Sequence, residues 1–360
     1  MEINPEEITR AELVLDSVRE EWLERPGVTA IDLGFMWQDG KMTDRLSIRV
    51  HVAKKKSADQ LSKGELFPEE IKGLPVDVIE ASYAPQTIVN AKPEMAADGR
   101  GKRYSVVPLG VSVGGRFATA GTLGAKVIDS KTGEEMILSN WHVLAGRQDI
   151  EAGLEIWQPG WIDGGTRREN TIAELSRWVI GPYDAAVARI TGARKVESKT
   201  VEGRQITDNI GASLGMRVWK SGRSTGLTEG FVDGLRMTVP LYYPGLGMRL
   251  LERVFRIIPR PGDSDLEMSI GGDSGAVWVD EESGKAVGLH FAGEVGNSPE
   301  HALAHDIEQI LDHLDVKLPA HVKKPPSTSK RPPSDRTDDR KGLAFWRWLS
   351  DYLRQLLIKK

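Results

Sequence analysis

The sequence predicts a mainly β fold, preceded by a small α+β module and followed by a tethered amphipathic helix. Three observations carry that expectation. From Pro108 onward, short apolar runs alternate with glycine-punctuated turns, as in a barrel or sandwich. Residues 1–84 hold one stripe of helical period followed by runs of strand character. Residues 323–341 are mostly Pro, Ser, Thr and charge, ahead of a final apolar stripe.

In the first module, Ile8, Ala11, Leu15, Val18 and Trp22 fall at spacings of 3 and 4, which marks an amphipathic helix between Glu6 and Glu24, stopped by Pro26-Gly27. Strands are expected at Val28–Trp37 and Arg45–Val52, joined through Asp39-Gly40, and again at Val76–Glu80. His51, on a charged strand, reads as an exposed or edge residue. Residues 85–107, with Pro85, Pro93, Gly99 and Gly101, read as a linker. The barrel-like region spans 108–322, with strands at Val111–Val113, Thr122–Ile128, Met136–Asn140, Ala185–Ile190, Arg217–Lys220, Gly230–Asp233 and Ala276–Val279, and a helical pattern over Ala302–Leu314. A flexible linker follows at 323–341. In the helix expected at 342–360, Phe345, Leu349, Tyr352, Leu353 and Leu356 share one face. That helix suits docking on the body, on a second copy or on an adaptor protein, or peripheral contact with a membrane surface.

Composition narrows the function. The chain of 360 residues has 48 Lys and Arg against 52 Asp and Glu, and no Cys. The missing thiols exclude a disulfide framework, thiolate catalysis and thiolate metal sites. The tail from Lys323 carries +7 and the remainder −11. A body of that sign argues against nucleic acid as the main partner. The acidic, polar start resembles no export signal and no apolar run approaches bilayer length, so a cytoplasmic location is expected.

Three short segments carry chemistry. Gly271-Gly272-Asp273-Ser274-Gly275 is a glycine-rich turn that can expose a hydroxyl while backbone N–H groups converge beside it. Ile137–Ala145 is a strand running into His142, a candidate general base. Tyr183–Ile190 is an apolar strand opened by Asp184, whose carboxylate needs a donor such as an imidazole N–H. Taken singly, His142 fits a satisfied core histidine and Asp184 a turn cap. Their occurrence together, in the order His, Asp, Ser with separations of 42 and 90, favours one site.

On these residues the chain resembles the trypsin-like serine peptidases of the chymotrypsin fold, in particular a Cys-free branch that includes bacterial trypsin-like peptidases and the narrow-leaf type proteins of plants. Thr119–Gly124, Gln158-Pro159-Gly160 and Lys220–Thr228 add to the likeness, which covers Pro108–Leu318. The resemblance implies a double β-barrel and a serine endopeptidase acting on protein or peptide substrates without cofactor or metal. It further implies a catalytic set of His142, Asp184 and Ser274, and an oxyanion hole from the N–H groups of Gly272 and Ser274. Met268, Ser269, His290, Phe291 and Gly293 fall at substrate-binding positions. Met268 stands where trypsin carries an acid, so tryptic specificity is not implied. His290 with Ser269 resembles peptidases that cleave after Glu, or is a structural core histidine. Phe291 replaces a Ser that supports the catalytic Asp in many members, so Asp184 is expected to be held differently. Asp273 is expected to find a local partner, and Lys220–Thr228 to form a hairpin. His301 and His305 lack a third strong metal ligand and read as polar residues at a helix start. The competing reading is a regulatory or scaffold protein with a gated or inactive trypsin-like domain.

Overall fold

The computed structural model describes residues 3–38, 41–62, 64–86, 96–118, 120–260, 267–295 and 301–320. The tether and helix expected at 323–341 and 342–360, and the Asp39-Gly40 turn, lie outside them.

Two helices, Pro5–Asp16 and Arg19–Leu23, replace the one expected. Asn4 caps the first by accepting from the Glu6 N–H, with Pro5 at its start. At the break the Ser17 hydroxyl donates back to the Val14 carbonyl at 2.7 Å, and the backbone leaves helical geometry at Val18, with φ −123°. Of the expected apolar stripe, Ala11, Leu15, Val18 and Trp22 are buried against Ile31, Leu33, Ile48 and Val50, while Ile8 is only partly buried and Val14, not part of the expected stripe, joins the core. Strands Val28–Gln38 and Lys41–Val52 form an antiparallel hairpin, and Leu74–Glu80 lies parallel to the second.

This sheet does not stop with the module. Strand Val28–Gln38 also pairs with the long strand Gly226–Tyr243, at Ile31↔Thr238 and Gly34↔Gly234, making one sheet of 11 strands. Within it Arg217–Gly222, Val277–Asp280, Ala286–Glu294, Ala302–Asp306, Gly247–Pro259 and Gly226–Tyr243 run in that neighbour order, and the last pairs with the first. That return closes a barrel and removes its edges. A separate sheet of 8 strands includes Glu135–Ser139, Asp184–Ile190 and Thr171–Ile180 as consecutive neighbours. The molecule is mainly β, with two barrel-like sheets. Among the described residues no helix is long and apolar enough to cross a membrane.

A buried ion cluster sits at the seam between module and barrel. The Arg49 guanidinium bonds both oxygens of Asp32 and, at 2.8 Å, Asp233, which Arg256 also holds. Gly34 and Gly234 make room for it: a Cβ on either would collide with the guanidinium. Burial opposes the Asp32 charge, but Arg49 and His51 hold its pKa down at about 2. His51 is therefore not an edge residue. It is fully buried, bonded to Asp32 at 3.1 Å and to the Tyr83 hydroxyl at 2.9 Å.

Sequence reading also misplaced Ala302–Leu314 as wholly helical. Ala302–Asp306 is a strand, because it bonds to neighbours on both sides, and only Ile307–His313 is helix. Of the expected linker 85–107, residues 85, 86 and 96–107 are described. Tyr83–Pro85 adds a strand to Ala286–Glu294, and Gln86 and Arg100 are buried.

Candidate active site

His142 lies in the short helix Trp141–Leu144 that follows strand Glu135–Ser139. Register with the neighbouring strand, Ser139↔Ala186, brings the start of Asp184–Ile190 alongside it. Asn140 fixes the junction by donating its side-chain amide to the Asp184 carbonyl at 2.7 Å. His142 Nδ1 then stands 2.5 Å from Asp184 Oδ2, and the His142 backbone N–H donates to Oδ1 at 3.2 Å.

Asp184 is fully buried. Burial raises its pKa, yet the charge and hydrogen bond of His142 and a hydrogen bond from Tyr243 together bring it below the usual carboxylate range. The Tyr243 hydroxyl, at the end of strand Gly226–Tyr243, donates to Oδ2 at 2.8 Å. Tyr243 is a functional candidate that sequence reading missed. It supplies the support expected to be absent with Phe291, which is buried and stacked on the His305 ring with centroids 3.9 Å apart. His305 Nε2 accepts the Asp184 backbone N–H at 3.2 Å, and burial pushes its pKa down to about 4.

The turn at Ser274 is held from the 8-stranded sheet, to which Thr122 and Ser139 belong. Thr122 N–H donates to the Ser274 carbonyl and its hydroxyl to the Gly272 carbonyl, both at 2.8 Å, while Ser139 Oγ donates to the Thr122 carbonyl. A Cβ on Gly121 would crowd both the Ser274 carbonyl and the Val143 side chain, so glycine there lets the turn approach the His142 helix. Gly272 has φ 102°, a left-handed conformation that glycine adopts without strain.

Asp273 has its local partners. It accepts from Thr225 Oγ1 at 2.7 Å and from the N–H groups of Ser224, Thr225 and Ile270, with Lys220 Nζ 3.4 Å away. Against full burial, Lys220 and the Thr225 hydroxyl hold its pKa down. Lys220–Thr228 forms the expected hairpin, closed at Gly222↔Gly226.

The structure brings the His142–Asp184 pair and the Ser274 turn to one junction, but the Ser274 hydroxyl does not bond His142. It donates to the Gln86 carbonyl at 3.0 Å, with the Phe291 carbonyl 3.4 Å away, and is almost wholly buried. His142 Nε2 is buried with no hydrogen-bond partner among the described residues.

Of the residues expected to bind substrate, Ser269 and His290 converge on one spot, both fully buried. Burial and the nearby Lys220 charge push the His290 pKa down to about 3, so the ring is neutral at neutral pH. Gly293 lies on the paired edge opposite Ala84. Met268 does not face that spot. Its side chain packs in the apolar cluster of Val232, Phe255 and Trp278. The two histidines noted for their spacing face apart: His301 Nδ1 meets Glu294 at 2.5 Å, while His305 serves Asp184. Among the described residues no three His, Asp or Glu side chains converge as a metal ion requires.

No protein-family model and no curated protein matches the chain. Among solved structures, the Nocardiopsis protease NAPase is 17% identical and covers 59% of this chain and 99% of its own, with a TM-score of 0.45. Protease A from Thermobifida fusca is 17% identical over 60% of this chain and 100% of its own, with a TM-score of 0.44. A glutamic acid specific serine protease, described as using a histidine triad in substrate binding, is 18% identical over 59% and 100%, also at 0.44. The structural neighbours are serine proteases of the chymotrypsin fold.

Proposed function

We propose that the chain is a serine endopeptidase that hydrolyses peptide bonds through an acyl-enzyme intermediate on Ser274. The observation that carries the proposal is the His142 Nδ1 contact with the buried Asp184 carboxylate at 2.5 Å, set beside a glycine-turn serine. A carboxylate in that position keeps the imidazole proton on Nδ1 and leaves Nε2 as the base. It also stabilises the imidazolium formed when the Ser274 proton is taken.

Ser274 attacks the substrate carbonyl carbon while its proton passes to His142 Nε2. His142 returns that proton to the departing amine, and water then hydrolyses the ester by the same route. The Gly272 N–H stabilises the oxyanion, in concert with the Ser274 N–H. Support for the first donor is direct: the Gly272 N–H is already aimed at a carbonyl oxygen, that of Gln86, at 3.3 Å. Tyr243 acts through Asp184 as a positioning residue.

The test is turnover of a fluorogenic peptide library by the purified full chain. Ser274→Ala should lower the rate by at least about 10⁴-fold with the melting temperature unchanged. Equal rates for the two folded proteins would overturn the proposal.

A further inference from the structure

The carbonyl that Gly272 and Ser274 hold belongs to the chain itself. Strand Tyr83–Pro85 runs antiparallel to Ala286–Glu294, at Tyr83↔Glu294, Ala84↔Gly293 and Pro85↔Ala292. This is the way an extended peptide adds to a sheet edge. The pairing continues one residue further, where the Gln86 N–H donates to the Phe291 carbonyl at 3.1 Å. Gln86 O then receives the Gly272 N–H at 3.3 Å and the Ser274 hydroxyl at 3.0 Å. An acyl group 188 residues away in sequence thus lies against the candidate nucleophile.

The Gln86 side chain fills the spot where Ser269 and His290 converge. Its Nε2 donates to the Ser269 carbonyl at 3.0 Å and lies 2.9 Å from Ser269 Oγ. A carbonyl only accepts, so the amide nitrogen must face Ser269 and Oε1 must face His290, 2.6 Å from its Nε2. His290 therefore donates from Nε2, in agreement with Trp278 Nε1–H directed at its Nδ1 at 3.4 Å. A neutral ring as donor and a main-chain carbonyl as acceptor match a carboxamide. They do not match a carboxylate, which would set an anionic oxygen against the Ser269 carbonyl. The register is set from behind by Tyr83, whose hydroxyl is anchored on His51 in the buried ion cluster, and by the Val295 N–H donating to the Ser82 carbonyl at 2.7 Å.

We propose that the chain cuts its own backbone after Gln86, in cis, through a pocket of Ser269 and His290 that accepts a glutamine carboxamide. This rests on the peptidase reading above. The Ser274 hydroxyl turns from Gln86 O to His142 Nε2, and Oγ bonds to the Gln86 carbonyl carbon as its proton moves to His142. The bond from that carbon to the nitrogen of Thr87, next in sequence, breaks, and the nitrogen leaves with the proton from His142. Water then cleaves the ester, restoring the Ser274 hydroxyl and leaving Gln86 as a C-terminal carboxylate. The pieces stay joined after the cut, because strand Val28–Gln38 remains paired to Gly226–Tyr243 and Arg49 to Asp233.

The test is therefore made under denaturing conditions, by intact mass and N-terminal sequencing of the purified full chain. Wild type should lose its full-length mass and yield one piece ending at Gln86 and one beginning at Thr87. Ser274→Ala, which deletes one oxygen, should stay whole, and should stay whole when mixed with wild type. Gln86→Glu should slow the cut by about 100-fold or more. A wild-type chain that remains whole, or is cut only at another bond, overturns the proposal. Fluorophosphonate labelling of Gln86→Ala separates the two levels. With wild type whole, labelling at Ser274 leaves the peptidase reading standing and removes self-cleavage alone; no labelling of the folded variant removes both.

Discussion

Tyr243 donates its hydroxyl to Asp184 Oδ2, the same carboxylate oxygen that His142 Nδ1 contacts, at 2.8 Å. The two side chains come from different sheets, so the bond ties the imidazole's orientation to the packing of one barrel on the other. Removing it leaves a buried carboxylate short of a donor, and a hydrogen bond to a charged group contributes about 1.5–3 kcal/mol. Tyr243→Phe should lower kcat by about 10- to 100-fold with KM little changed, since about 1.4 kcal/mol is tenfold. Steady-state kinetics on a fluorogenic peptide checks this. A fall in KM-controlled binding alone, with kcat intact, would contradict it.

The ion cluster at the seam makes a second prediction, about stability. Asp233 is shared by Arg49 and Arg256, all three fully buried or nearly so. Asp233→Asn leaves two guanidinium groups facing each other without their common counter-charge. Breaking a buried pair from one side costs about 3–5 kcal/mol. Urea unfolding of the variant should show a loss of that size, and a loss below about 1 kcal/mol would mean the cluster is wetter than its burial indicates.

Acid should destabilise the fold well above the carboxylate range. His290 and His305 have folded pKa values pushed down to about 3 and about 4 by burial, from an ordinary value of 6.5. The unfolded chain therefore binds more protons below pH 6.5, and stability falls as pH falls. Each ring adds about 1.4 kcal/mol per pH unit once its unfolded form is protonated, until its folded pKa is reached. Asp32, held at about 2, adds a further loss between its unfolded value near 3.8 and that point. Chemical denaturation at pH 7, 6, 5 and 4 should show a declining midpoint from about 6.5 downward. A midpoint flat from pH 7 to 4 would contradict neutral buried rings.

On the proposed function, Gln86 occupies the space a separate substrate needs. Freeing it should raise reactivity toward outside molecules in proportion to the fraction of time the site stands open. Gln86→Ala should therefore react with a fluorophosphonate at least about tenfold faster than Ser274-intact wild type. Equal rates would show that the Gln86 contacts do not restrict access.

What the sequence revealed and what it hid divide along one physical line. The Gly271–Gly275 turn, the strand into His142 and the Asp opening its strand are local patterns, each legible in a few residues. Tyr243 was hidden because its role depends on a partner 59 residues away, and strand Gly247–Pro259 was masked by Arg249, Glu252, Arg253 and Arg256 breaking its apolar pattern. His51 looked exposed for a similar reason, since the groups that satisfy it, Asp32 and Tyr83, come from other strands. Gln86 sits in a stretch whose prolines and glycines read as a connector. Nothing local distinguishes a glutamine in a linker from one seated in a pocket of Ser269 and His290. The split of the N-terminal helix has no local signal, because the apolar stripe runs through Val18, where the backbone leaves helical geometry.

On the proposed function, His142, Asp184 and the Ser274 turn form a working nucleophile. The most direct test is fluorophosphonate labelling of the folded Gln86→Ala chain, with Ser274→Ala, His142→Ala and Asp184→Ala each combined with it. One adduct is expected, mapped by peptide mass to Ser274, absent without its hydroxyl and slowed by about 10³-fold or more without His142 or Asp184. A folded chain that takes up no label, or labels equally well without His142, would contradict it.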